Sequence, residues 1–143
     1  MYVRQLAVFL ENRSGRLADV AKALGENGID ISALSVADTT GFGILRLIVR
    51  NPSLAENVLK ERGYAVSVSE VLAIAIDDTP GSLGEALEIL DKHQIEIEYI
   101  YAFMGRTDKR ALLILKVTDM ATAVQVLKNT AFQVLTEEEV YAL

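Results

Sequence analysis

The chain has 143 residues, enough for one ordinary domain or two small ones, and 51% of them are hydrophobic, so a substantial core is available. Charged residues make up 24% and cysteine is absent, which excludes a disordered chain, a disulfide framework and thiolate chemistry. The net charge is −6 and the 14 basic residues are scattered, a balance that disfavours phosphate-backbone binding, so no nucleic-acid partner is expected.

The opening residues, Met1-Tyr2-Val3-Arg4-Gln5, lack the basic region and apolar stretch of a signal peptide. The longest apolar run, Val71 to Ile76, falls far short of the roughly 18 to 20 residues that a membrane helix needs. No membrane association and a cytoplasmic location are therefore expected.

In chain order, the first apolar run, Leu6 to Leu10, reads as a central strand. A polar turn, Glu11 to Leu17, leads into an amphipathic helix whose Leu17, Val20, Ala21 and Leu24 fall at i, i+3, i+4 and i+7. A β-hairpin follows, roughly 29–37 with 43–50, with Asp38 to Gly41 supplying its turn. Asn51-Pro52 starts a second helix, and Tyr64 to Ser67 forms a short closing strand.

The same series then repeats. A shift of 66 residues lays Leu6-Ala7-Val8 on Leu72-Ala73-Ile74, Gly15 on Gly81, Leu17 on Leu83, Leu24 on Leu90 and Ile29 on Ile95. Beyond residue 43 the shift is 68, pairing Leu45 with Leu113, Leu47 with Leu115 and Val58-Leu59-Lys60 with Val126-Leu127-Lys128. The two extra residues fall at the second hairpin tip, Gly105 to Asp108, where a loop tolerates insertion. In the second copy Thr79 reads as a helix N-cap, with Pro80 at the first helical position. Thr118-Asp119 starts its second helix, and Phe132 to Leu135 is its last strand.

The expected fold class is α+β: two tandem ferredoxin-like βαββαβ units, residues 1–69 and 70–143, each an antiparallel sheet with both helices on one face. Between Tyr64 and Asp77 there is no Gly or Pro, hence no linker. Ala7, Phe9, Ile44, Ile48, Ala73, Ala75, Leu112 and Ile114 cannot all face the helices, because strand neighbours alternate sides. Such surface calls for cover by another sheet or subunit, so a homodimer is expected.

The turns Glu11 to Leu17 and Asp77 to Leu83, each polar with a Gly and then a helix-opening Leu, resemble those of the ACT domain family. So do Gly28-Ile29-Asp30-Ile31 and Gln94-Ile95-Glu96-Ile97, which stand where that family has an Ile-Asn-Ile-like entry into its second strand. The resemblance covers both copies. It implies a non-catalytic regulatory protein that binds a small amino acid at the turn and a domain or subunit interface, and modulates an enzyme of amino-acid metabolism such as acetolactate synthase.

The physics of the turn fits that expectation, since a helix N-terminus attracts a carboxylate and glycine permits close approach. Expected binding residues in copy one are Leu10, Asn12, Arg13, Ser14, Gly15, Arg16, Leu17, Ile29, Asp30 and Ile31. In copy two they are Asp78, Pro80, Gly81, Ser82, Leu83 and Glu96. Asn12 or Asp30 would receive the ligand ammonium, and Arg13 and Arg16 make copy one the preferred site. The family's serine sensors carry a His two residues before the loop Asn, where this chain has Leu10 and Ile76, so another amino acid is equally allowed.

One His and no Cys preclude Ser–His and Cys–His pairs and a transition-metal site of those residues, so neither metal nor cofactor is expected. His93 reads as a helix-end charge, Tyr99, Tyr101 and Phe103 as sheet-face packing, and Thr136 to Glu139 as a solvated or helical tail. Two alternatives stand beside the sensor: an oligomerisation module without ligand, and a small acylphosphatase-like hydrolase, for which Arg13 is present but its surrounding pattern is not.

Overall fold

Two glycines in the left-handed conformation set where the first helix of each copy begins. Gly15 (φ 87°) and Gly81 (φ 93°) are the N-cap residues, a conformation that costs a residue with a Cβ about 1–2 kcal/mol. The structure, a computed structural model, describes residues 2–11, 15–38, 41–104 and 110–143.

The chain divides into two units, Arg4–Ser69, and Glu70–Leu143 with Met1–Val3. The first contains β1 (Val3–Glu11), α1 (Arg16–Glu26), β2 (Ile31–Asp38), β3 (Phe42–Val49), α2 (Pro52–Glu61) and the start of β4 (Ala65–Asp77). The second continues along β4 into α3 (Ser82–Lys92), β5 (Ile97–Ala102), β6 (Arg110–Val117), α4 (Met120–Lys128), β7 (Gln133–Leu135) and α5 (Glu137–Tyr141). Strand order is β2-β3-β1-β4 in the first unit and β7-β4-β6-β5 in the second. The closing strand of copy one thus runs unbroken into the opening strand of copy two.

Alternation along the strands decides which residues meet the helices. In copy one Leu6, Val8 and Leu10 of β1 and Leu45, Leu47 and Val49 of β3 pack against Val20, Ala23 and Leu24 of α1 and Ala55 and Leu59 of α2. In copy two Leu72, Ile74, Ile76, Leu113, Leu115 and Val117 do so against Ala86, Leu90, Ala123, Val124 and Leu127. Each fully buried Leu, Ile or Val contributes about 1.5–3 kcal/mol. These are two homologous cores, each between one sheet face and two helices.

The second helices start as expected: the Asn51 side chain accepts from Leu54 N at 3.1 Å with Pro52 following, and the Asp119 side chain accepts from Thr122 N at 3.1 Å. The start of α3 differs from expectation. Its N-cap is Gly81, not Thr79, because the left-handed glycine turns the chain two residues later. Thr79 instead accepts the Ser82 amide on its carbonyl at 3.2 Å and shares a hydroxyl contact with Ser82 at 2.8 Å. The acidic tail is the helix α5, closed by a capping box between Thr136 and Glu139. His93 is the C-cap of α3, its Nδ1 2.9 Å from the Ile89 carbonyl.

Candidate functional site at the first turn

At the end of β1, next to the start of α1, lies a cavity of about 220 Å³ lined by Phe9, Leu10, Glu11, Arg16, Phe42, Arg62, Gly63, Tyr64 and Ala65. That is below the roughly 300 Å³ at which drug-sized pockets begin, a size for a small metabolite. All of these residues belong to the first unit.

Arg16 is the first residue of α1, so its position follows from the left-handed Gly15 before it. Its guanidinium lies 5.9 Å from the centre of the Tyr64 ring and 3.7 Å from the Glu11 carboxylate, beyond hydrogen-bond distance. Arg62, from the α2–β4 turn, is committed elsewhere: it donates to Asp19 at 3.1 Å and to Glu26 at 3.3 Å, bracing α1 at both ends. Tyr64 is only 9% exposed and donates its hydroxyl to Asp19 at 2.5 Å. Burial raises the Tyr64 pKa above its ordinary value, and the Asp19 carboxylate adds to the rise; Arg16 acts in the opposite direction.

The two aromatic walls come from the other face of the sheet. Glu11 pairs with Phe42 and Phe9 with Ile44, which makes Phe9 and Phe42 diagonal neighbours on adjacent strands. They are 47% and 51% exposed. The cavity therefore offers an arginine and a carboxylate beside two aromatic rings.

Of the residues expected in copy one, Leu10 and Arg16 line this cavity, and Gly15 adjoins it as the N-cap. Asn12, Arg13 and Ser14 lie outside the described residues, as does the second hairpin tip. Leu17 is 44% exposed and is not among the cavity walls. Asp30 is a correction. Ile31 pairs with Val49 whereas Glu11 pairs with Phe42, so seven β3 residues, about 23 Å at 3.3 Å per residue, separate the two ends. Asp30 cannot receive the ammonium of a ligand held at Arg16 of the same copy. Ile29 is buried in the core with Ile31 packed against it.

In copy two Asp78, Pro80 and Gly81 are exposed, Leu83 is largely exposed, and Ser82 is buried against Thr79. Glu96 lies at the far end of its sheet in an open groove with Leu87, Asp91, Gln94, Ile95 and Ile97. The shifts of 66 and 68 replace Phe9 by Ala75, Arg16 by Ser82, Phe42 by Arg110, Arg62 by Thr130 and Tyr64 by Phe132. Arg110 donates to Gln133 Oε1 at 2.9 Å and to the Ala75 carbonyl at 3.2 Å, and Gln133 donates to Glu139 of α5 at 3.0 Å. This polar chain lies where copy one has its aromatic walls.

Sequence reasoning missed Phe9, Glu11, Phe42, Arg62 and Tyr64 as cavity residues. The signal available was the failure of Phe9, Phe42 and Arg62 to repeat, since the core positions do; Glu11 and Tyr64 recur in kind as Asp77 and Phe132. Among the described residues no group of three His, Cys, Asp or Glu is placed to hold a metal ion, and no helix is long and apolar enough to cross a membrane.

A family model of the ACT domain pair matches residues 1–143. Among solved structures, protein BT0572 from Bacteroides thetaiotaomicron is 35% identical, with 100% of this chain and 98% of that one covered and a TM-score of 0.92. The regulatory subunit of aspartate kinase from Thermus thermophilus, in its ligand-free form, is 16% identical with a TM-score of 0.62 and shows likeness of fold, covering 88% of this chain and 91% of its own. Aspartate kinase from Synechocystis is 21% identical with a TM-score of 0.57, over 87% of this chain and 24% of the kinase. No curated protein sequence matches. The tandem βαββαβ organisation expected from the sequence is that of these structures.

Proposed function

Since this chain belongs to the ACT domain family, we propose that it is a non-catalytic regulatory protein that binds a small amino acid at the β1–α1 turn of its first copy. One observation carries the reading: the cavity at that turn is lined by Arg16 and Glu11, whose charged groups lie 3.7 Å apart. An α-carboxylate would take the Arg16 fork and the positive end of α1, and Glu11 would receive the ammonium in place of Asp30. Asn12, Arg13 and Ser14 lie between Glu11 and Gly15 in the chain and belong to the same proposal.

The effect on metabolism would come through a partner. A neighbour of like fold is by name the regulatory subunit of an enzyme, aspartate kinase. The same division of labour is proposed here: binding in this chain, cytoplasmic and dimeric, and chemistry in an enzyme of amino-acid metabolism, of which acetolactate synthase is one example.

A thermal-shift screen against the twenty amino acids tests the binding. A ligand at 100 times its Kd stabilises by about 2.7 kcal/mol, so one or a few of them raise Tm in a dose-dependent way and Arg16→Gln abolishes the rise. The absence of any shift at millimolar concentration would favour the ligand-free oligomerisation module instead.

A further inference from the structure

We infer that Asp19, although it is not a wall of the first-copy cavity, positions three residues that are: Tyr64, Arg62 and, through Tyr64, Arg16. This rests on the amino-acid reading above and adds to it the machinery that holds the site in shape.

Three links converge on one carboxylate. Asp19 lies in the first turn of α1, on the same helix as Arg16. Its Oδ2 accepts the Tyr64 hydroxyl at 2.5 Å, and its Oδ1 accepts Arg62 Nη1 at 3.1 Å. Tyr64 and Arg62 both line the cavity, and the Arg16 guanidinium lies over the Tyr64 ring at 5.9 Å from its centre. With its hydroxyl tied to Asp19, the Tyr64 ring is fixed in place and presents its electron-rich face to Arg16. Arg62, a long side chain rich in rotamers, is pinned along α1 by Asp19 and, at 3.3 Å, by Glu26. A site held in this way before the ligand arrives loses less freedom on binding, and so binds more tightly.

The second copy serves as an internal comparison. There the shifts of 66 and 68 put Glu85, Thr130 and Phe132 at the positions of Asp19, Arg62 and Tyr64, and Ser82 and Lys92 at those of Arg16 and Glu26. Glu85 is exposed, the Thr130 hydroxyl donates to the Leu127 carbonyl at 2.6 Å, and Phe132 has no hydroxyl. Yet α3 and α4 pack on their sheet as α1 and α2 do, through Ala86, Leu90, Ala123 and Leu127. The fold therefore stands without the network. The Arg62 and Asp19 side chains are each 41% exposed, where an ion pair contributes little to stability. In copy one the links of the network end on cavity walls instead.

Arginine side-chain NMR on the intact, unliganded chain, followed by titration calorimetry with each of the twenty L-amino acids, tests this. The Nε–Hε groups of Arg16 and Arg62 should both be ordered in the parent. In Tyr64→Phe that of Arg16 should lose order, its order parameter falling below about 0.6, while that of Arg62 stays as in the parent. In Asp19→Ala both should lose order, and any amino acid bound by the parent should bind about fivefold or more weakly, although Asp19 is not a cavity wall. Glu85→Ala, at the copy-two counterpart, should change neither. Circular dichroism verifies that each variant is folded. Should Asp19→Ala not be, Asp19→Asn keeps an acceptor for the Tyr64 hydroxyl and removes the charge facing Arg62, so it should free Arg62 and leave Arg16 ordered. Unchanged order of Arg62 in the folded Asp19 variant or of Arg16 in Tyr64→Phe, or unchanged or tighter binding by folded Asp19→Ala, overturns the positioning role and leaves amino-acid binding standing. No heat from any of the twenty with the parent overturns the amino-acid reading, and the arginine order parameters then decide the role of Asp19 by themselves.

Discussion

Phe42 and Arg110 occupy the same register position in the two copies: Phe42 pairs with Glu11 at the end of β1, and Arg110 pairs with Asp77 at the end of β4. The first is a half-exposed aromatic wall. The second is a guanidinium drawn across its strand to the Ala75 carbonyl and to Gln133. Arg110→Ala should therefore lower stability by about 1–2 kcal/mol in urea unfolding, since it removes two hydrogen bonds with a charged donor, one of them partly buried. Phe42→Ala should stay within about 0.5 kcal/mol of the parent, as for an ordinary surface change. Equal effects of the two substitutions would contradict the divergence of the copies.

The Tyr64–Asp19 hydrogen bond predicts a pH dependence on the alkaline side. Burial first, and the Asp19 carboxylate second, raise the Tyr64 pKa in the folded chain above its ordinary 10.0. The unfolded chain then ionises first, so the stabilisation is complete below pH 10 and is lost as pH rises through the folded pKa. Tyr64→Phe should cost about 1 kcal/mol at neutral pH, and its stability should fall less than the parent's between about pH 9 and pH 11. Parallel pH curves for the two proteins would refute it.

Gln94 holds φ 58° immediately after α3, at the position where copy one has Gly28 at φ 69°. The left-handed conformation costs glutamine more than glycine, offset in part by the greater freedom of glycine in the unfolded chain. Gln94→Gly is accordingly expected to stabilise by about 0.5–1 kcal/mol, and Gly28→Gln to destabilise by a similar amount. Chemical denaturation of the two variants decides it.

Asn51 caps α2 through the Leu54 amide at 3.1 Å, so Asn51→Ala should cost about 1 kcal/mol and Asn51→Asp much less. If alanine and aspartate were equally tolerated, Pro52 and packing alone would be fixing the helix start.

The repeat was legible because a duplicated core must keep its apolar positions: Leu6, Leu45 and Leu59 recur as Leu72, Leu113 and Leu127, and all six are buried. The turn glycines were legible for a different reason, since φ near 90° is a conformation that glycine takes without penalty. The cavity was only half legible. Leu10 and Arg16 lie in or beside the turn, but Arg62 and Tyr64 arrive from the far side of α2, about fifty residues later in the chain. Phe9 read as an ordinary member of a sheet face, and only the strand register brings it beside Phe42 at the open end of the sheet. Asp30 looked suitable by residue type; the antiparallel hairpin carries it to the opposite end.

Amide mapping by heteronuclear NMR tests amino-acid binding at the first turn most directly. On titration with the amino acid that gives the largest thermal shift, the amides of Gly15 to Asp19 and of Arg62 to Ala65 should move together and saturate with one Kd, while those of Gly81 to Glu85 stay in place. Saturable shifts confined to the second copy, or none anywhere at millimolar ligand, would contradict the account.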